Sequence, residues 1–218
     1  MPTIAIISQK GGAGKTTIAV HLAAAAELAG HAALVFDTDP QATASQWANW
    51  RGDKPPEVIE SSPNTLATKV EAVRKGGAEF IVIDTPPHAD SAASAAMQLA
   101  DLILIPCRPS AFDLAAIQTT ARLVQMFRKP AYVLFTAGSP NAPKLYTEAT
   151  DAAGAFGLKT VPIHIADRAA FRHAVADGRT AMEIEPTGKA ADEIDRLFKW
   201  TCETVNYRTS ARKKGRAA

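Results

Sequence analysis

Within ten residues, Ser8-Gln9-Lys10-Gly11-Gly12-Ala13-Gly14-Lys15-Thr16-Thr17, the chain places three glycines, two lysines and three hydroxyls. A turn of this kind lets successive backbone N–H groups converge on phosphate oxygens, because glycine tolerates the backbone angles that bring a chain against its ligand. Gly11, Gly12, Ala13 and Gly14 form the cradle. Lys15 is placed to lie along the β- and γ-phosphates of a nucleotide, Thr16 to ligate Mg2+ and Thr17 to reach the α-phosphate. One position departs from the usual spacing G-x-x-x-x-G-K-[ST]: counting back from Gly14, the first glycine belongs where the chain has Gln9. Beside it stands a second lysine, Lys10, in front of the glycine pair.

A nucleotide with Mg2+ also needs carboxylates at neighbouring strand ends, on the sheet edge where open α/β folds bind ligands. Asp84 closes the apolar run Phe80-Ile81-Val82-Ile83-Asp84, and Asp37 and Asp39 follow Ala33-Leu34-Val35-Phe36. Aspartates after strands also serve as turn formers and helix caps. Three of them at two strand ends, in a chain with this glycine loop, favour a role at the nucleotide, with Asp84 placed to hold Mg2+ directly or through a water.

The elements that must position these groups are legible from periodicity. Apolar runs at 3–8, 32–37, 80–84, 101–106 and 131–136 read as strands, and helical patterns separate them, the alternation of βαβ units with a parallel sheet. The helix after the glycine loop runs from Thr16 to Leu28 and is ended by Gly30. Pro55 to Pro63 reads as a loop, 158–165 as the last strand, and Arg168–Asp177 and Lys189–Val205 as closing helices. In the last of these, Ala191, Ile194, Leu197, Phe198 and Cys202 recur at helical spacing and predict a core-facing stripe. The expectation is one doubly wound α/β domain over residues 1–205, with a mostly parallel sheet.

Charge sits unevenly on this plan. The chain has 24 Lys and Arg against 22 Asp and Glu, yet Arg208, Arg212, Lys213, Lys214 and Arg216 fall within a terminal segment free of acids. Residues 1–205 are therefore net acidic, and 206–218 form a basic tail suited to a polyanion. Cys107 and Cys202 lie far apart without metal-type or redox-type spacing and are expected to be reduced thiols. No apolar run approaches the ~20 residues of a membrane span, and no leader-like segment opens the chain.

Lys10 to Thr17, Asp37-Thr38-Asp39-Pro40-Gln41 and Ile83 to Pro87, in this order, resemble the ParA/MinD group of deviant Walker-type ATPases, and among these the small partition ATPases. The similarity continues through 105–117 and 168–194. It implies an ATPase of weak intrinsic activity that uses ATP and Mg2+ and dimerises around the nucleotide. Lys10 then resembles the lysine that reaches a partner's phosphates, Asp37 a residue near the Mg2+ shell, Asp39 the residue that positions the attacking water, and Asp84 the second carboxylate. Thr85-Pro86-Pro87 resembles a switch that senses the γ-phosphate, and the stretch from Pro106 to Asp113 lies near the nucleotide and the dimer interface. The resemblance further implies a cytoplasmic, nucleoid-associated protein that binds non-specific DNA in its ATP state and is released by a ParB-like or other stimulatory partner. Arg168, Arg172 and Arg179 join the tail as candidate DNA contacts, and Thr136 is a candidate for adenine. The rivals are a MinD-like membrane positioner, a positioner of chemoreceptors or microcompartments, and a metabolic ligase on the same scaffold. The first needs a terminal amphipathic helix with an apolar face, which the tail lacks.

Overall fold

The computed structural model describes residues 1–207; the tail residues Arg208, Arg212, Lys213, Lys214 and Arg216 lie outside the described residues. In chain order the elements are β1 (Thr3–Ile6), α1 (Lys15–Leu28), β2 (Ala33–Asp37), α2 (Thr43–Arg51), β3 (Glu57–Glu60), α3 (Pro63–Lys75), β4 (Phe80–Asp84), α4 (Asp90–Leu99) and β5 (Leu102–Cys107). There follow α5 (Ala111–Phe127), β6 (Ala131–Gly138), α6 (Pro143–Ala155), β7 (Lys159–Thr160), β8 (Ile165–Ala166), α7 (Ala169–Ala176), α8 (Ala181–Ile184) and α9 (Lys189–Thr204).

The strands pair in parallel in the order β3-β2-β4-β1-β5-β6-β7, with β8 continuing beside β6. Parallel strands covered on both faces read as unbroken apolar runs, and β1, β4 and β5 are buried throughout. Val35, Val82 and Leu104 point to the layer of α1, α2, α7 and α9, while Phe36, Ile83 and Ile105 point to the layer of α3 to α6. This is the doubly wound fold. Connections leave β1 toward one edge and return from β4 to the other, so the glycine loop after β1 sits where the winding reverses.

Two readings need correction. Pro55 to Pro63 is not all loop: Val35 pairs with Val58 and Asp37 with Glu60, making β3 an edge strand. It is short, and Glu57 and Glu60 are exposed at its ends, which discourages further pairing along that edge. The run 158–165 is not one strand, because Pro162 lacks a backbone N–H for a ladder, and β7 and β8 pair with β6 on either side of it. The stripe on α9 is buried as its spacing predicts: Ala191, Ile194, Leu197, Phe198 and Cys202 all lie in the core. Both cysteines are free and buried.

Arg51, at the end of α2, fastens that helix to the turn before α8. Its guanidinium holds Glu183 through two 2.9 Å hydrogen bonds, donates to the Gly178 carbonyl at 2.8 Å and lies 4.8 Å over the Trp47 ring. Gly178 has φ of 64°, and a Cβ there would overlap the backbone of Trp50 and Arg51. Backbone cannot yield as a side chain can. Gly178→Ala is therefore expected to destabilise the fold by roughly 2–4 kcal/mol. A chemical denaturation midpoint equal to that of the parent chain would refute this packing account.

Candidate nucleotide site

Sheet register sets the carboxylates. Asp37 pairs with Asp84 across β2 and β4, and Asp84 pairs with Ile6, the last residue of β1. Two aspartates and the glycine loop thus arise at one sheet edge. Gly12 (φ 72°) and Gly14 (φ 88°) adopt left-handed backbone, which favours residues without a Cβ. Gly14 caps α1, whose first N–H groups open toward the loop.

Inside the loop the groups are already tied to one another. Lys15 Nζ donates to the Lys10 carbonyl at 3.2 Å and is buried. Burial pushes its ammonium below the usual lysine range, and Asp84 and Asp39 work against that. Thr16 Oγ1 donates to Asp84 Oδ2 at 2.6 Å. Asp84 is fully buried, its Oδ1 has no partner, and burial raises its pKa to about 7 in spite of Thr16 and Lys15, with Asp37 and Asp39 adding to the rise. A buried carboxylate with one idle oxygen beside a threonine hydroxyl suits a divalent cation. Among the described residues no three His, Cys, Asp or Glu side chains gather as a metal cage. Mg2+ needs no such cage, because it completes its shell with water and phosphate oxygens.

Asp37 is less available. Its Oδ1 accepts the Asp39 N–H at 3.1 Å, and its Oδ2 accepts both the N–H and the hydroxyl of Ser45. It braces the start of α2 and influences Asp84 through its charge. Asp39 Oδ1 accepts the Gln41 N–H in a tight turn, leaving the side chain partly exposed at the loop edge. Thr38 Oγ1 donates to the Asp84 carbonyl and Thr85 Oγ1 to that of Ile6, so the segment after β4 is bonded to β1 and to the Asp37–Asp39 turn.

Lys10 behaves differently from Lys15. Its Nζ reaches out of the cradle to Asp113 Oδ1 on α5, 3.0 Å away, and the Ser110 hydroxyl bonds the other oxygen of that carboxylate. Gln9, the residue in place of glycine, donates to Asp90 Oδ1 at 2.7 Å.

A cleft of about 320 Å³ opens beside the loop, lined by Gly12 to Gly14, Thr17, Thr136, Arg108 and Phe171, with Arg168 and Arg172 at its rim. Thr136 Oγ1 donates to the Ala13 carbonyl, and Arg108 to that of Gly12 at 2.9 Å. Arg108 falls in the stretch from Pro106 to Asp113 expected near the nucleotide, and Phe171 within 168–194, but their individual contacts arrive only through the tertiary fold. Arg168 grips Glu193 through Nε and Nη2, Arg172 pairs with Asp167, and Arg179 pairs with Asp177. All three arginines already have a carboxylate.

Behind Thr17 lies a fully buried histidine. The Ala181 N–H donates to His21 Nε2 at 3.0 Å, so Nδ1 carries the proton and donates to the Thr17 carbonyl at 2.8 Å. Burial lowers its pKa to about 4. A histidine kept neutral in the fold stabilises it above pH 6.5, and that stability is lost as pH falls from 6.5 through 4. Asp84, raised to about 7, acts in the opposite sense over much of that window. The readout is therefore a difference. Between pH 7 and pH 4, the parent chain is expected to lose a few kcal/mol more stability than His21→Gln. Parallel stability–pH curves for the two chains would show that His21 is not held neutral.

A phosphate cradle at the N-terminus of a helix, with a hydroxyl–carboxylate pair at the switch point of a parallel sheet, defines a nucleotide-binding α/β protein. The CobQ/CobB/MinD/ParA nucleotide binding domain matches residues 4–181, and the chain belongs to that family of ATPases. Two proteins named Maintenance of carboxysome distribution protein A are similar over most of their length. The one from Gloeobacter kilaueensis is 34% identical, with 93% of each chain covered. The one from Halothiobacillus neapolitanus is 30% identical, with 90% of this chain and 94% of its own covered. The fold also matches an ATP complex of Cyanothece McdA, with a TM-score of 0.70, 18% identity and 97% and 99% of the two chains covered.

Proposed function

We propose that this chain is an ATP-dependent dimerising switch that positions a cargo along non-specific DNA in its ATP state and is released by partner-stimulated hydrolysis. The observation that carries the reading is the division of labour between two lysines. Lys15 is folded into its own cradle, while Lys10 points away from it onto Asp113 at the start of α5. A cation that is idle in one chain and completes a phosphate site in another makes the ATP state depend on association. Thr16 and Asp84 would hold Mg2+, with Asp37 bracing them. Bound there, the ion would neutralise charge on the β- and γ-phosphates. Asp39, at the open edge, would orient the water, and the segment Thr85 to Pro87 would report the γ-phosphate through its bonds to β1.

For cargo, a large protein assembly of the carboxysome kind is favoured, because the two relatives carrying that name span nine tenths or more of both chains. Partition of a plasmid or chromosome is the second reading, favoured by the motif set around Lys10 and by the basic residues of 206–218. The discriminating experiment measures ATP turnover with non-specific DNA and with each candidate partner in turn. Stimulation that needs both DNA and an assembly-associated protein supports the first reading; stimulation by a ParB-like protein bound to its DNA site supports the second. Turnover indifferent to DNA and to every partner contradicts both.

A further inference from the structure

Far from the nucleotide cradle, at the edge where the strands begin, two adjoining clefts meet at Gln125 and Gly157. Arg128, Lys129 and Lys159 line one and Arg122 the other, and no carboxylate lines either. Among the described residues the side chains of these four enter no ion pair and donate no hydrogen bond, a condition otherwise met among Lys and Arg side chains only by Lys54 and Lys189. The contrast with Arg168, Arg172 and Arg179, each paired within the chain, is direct. We propose that the groove between the ends of α5 and α6 and the starts of β6 and β7 binds an extended phosphodiester backbone. The proposal rests on the reading that this protein works on nucleic acid and assigns the surface that does so.

Charge bookkeeping favours an outside anion. Helices α5 and α6 both end here, and each C-terminus supplies about −0.5 of partial charge, so roughly three of the four positive charges stay uncompensated. No carboxylate lines either cleft: among the described residues Asp151 on α6 has no ion-pair partner but lines neither, and two others are committed elsewhere. Asp101, at the start of the neighbouring strand, accepts the Thr3 N–H on its far side at 2.8 Å, and Glu148 on α6 faces Lys144. Arg128 itself holds a left-handed conformation (φ 52°) at the end of α5, where glycine or asparagine would carry less strain. A cationic side chain thus stands at a position whose backbone disfavours it.

The spread of the cations selects the ligand. They run across two clefts instead of converging on one point, as a mononucleotide would require. Two rings line the groove, and both are engaged within the fold: Tyr132 meets Trp200 edge-on at 5.0 Å, and the half-buried Phe156 packs against the core. Met126, exposed on α5, lines neither cleft, so no free aromatic or Met anchor of the kind that protein interfaces use stands in the groove. Phosphate contacts need no such anchor, since counterion release supplies their free energy. The last described residue, Tyr207, bonds His31 just before β2, on this same edge, and from there the sequence continues into the five basic residues of the tail.

The test uses the full chain with ATP and Mg2+, a labelled duplex of arbitrary sequence, and fluorescence anisotropy across a salt series. Each phosphate contact contributes about 0.9 to the slope of log K against log salt. The variant R122Q/R128Q/K129Q/K159Q is expected to lower that slope by about 3 and to weaken binding at least ~100-fold at low salt, with melting temperature and the basal ATP turnover measured without DNA or partner unchanged. Should the quadruple variant not fold, K129Q and K159Q singly are each expected to lower the slope by about 0.9. If the parent chain binds duplex and these variants keep its slope, the groove is not the surface, although the nucleic-acid reading stands. If the parent chain binds no duplex, that reading fails and the proposal with it. Poly-glutamate displacing the duplex as well as unlabelled DNA does would overturn the proposal in favour of an acidic protein partner.

Discussion

Lys10→Ala is expected to leave nucleotide binding intact while abolishing the ATP-dependent dimer, and with it a factor of about 10³ or more in stimulated turnover, the scale of a cation supplied in trans. The Lys10 side chain is 40% exposed and ends 3.0 Å from Asp113, outside the cradle formed by its own loop. Removing it subtracts nothing from the contacts Lys15, Thr16 and the glycines make. It leaves the Lys10 backbone carbonyl, which receives Lys15 Nζ, where it was. Binding of a fluorescent ATP analogue should therefore match the parent chain while sizing with ATP shows only monomer. An unchanged dimer would remove Lys10 from the mechanism.

Lys15→Ala is expected to fail one step earlier. The Lys15 ammonium is buried between Asp84 and Asp39, where loss of a positioned charge costs about 10²–10³ in turnover by analogy with deleted transition-state donors. It also removes the positive charge that opposes protonation of Asp84, whose pKa of about 7 would then rise further and weaken the cation site. The two variants thus separate by readout. Lys15→Ala loses nucleotide affinity in titration calorimetry, whereas Lys10→Ala keeps it and loses association. Nucleotide affinity surviving in Lys15→Ala would mean that the cradle holds its ligand through backbone N–H groups alone.

Much of the site was legible because its groups are local or sit at strand ends. The glycine loop, Lys15 and Thr16 fall in one turn, and the apolar runs ending in Asp37 and Asp84 were long enough to place both carboxylates at one sheet edge. Register then confirmed them as neighbours. The partner of Lys10 was less legible: Asp113 lies about a hundred positions away and is brought near through the β1–β5 pairing. The spacing Ser110-x-x-Asp113 marks a helix start, but nothing local says that the capping carboxylate will also receive a lysine. Helix α8 escaped notice although Thr180-x-x-Glu183 is a capping box, because a four-residue helix gives no periodicity. Strand β3 was hidden by its flanking prolines. The loose cations of the α5–α6 groove could not be told from paired ones in the sequence, since pairing depends on which face each side chain takes.

The most direct measurement is the mass of the protein in solution, by light scattering, with ATP and Mg2+ and with ADP. Asp39→Ala, which the account expects to slow hydrolysis and prolong the ATP state, is run beside the parent chain and Lys10→Ala. The prediction is a dimer with ATP for Asp39→Ala and the parent chain, and a monomer with ADP and for Lys10→Ala under every condition. A single mass, independent of nucleotide and of Lys10, would contradict the switch.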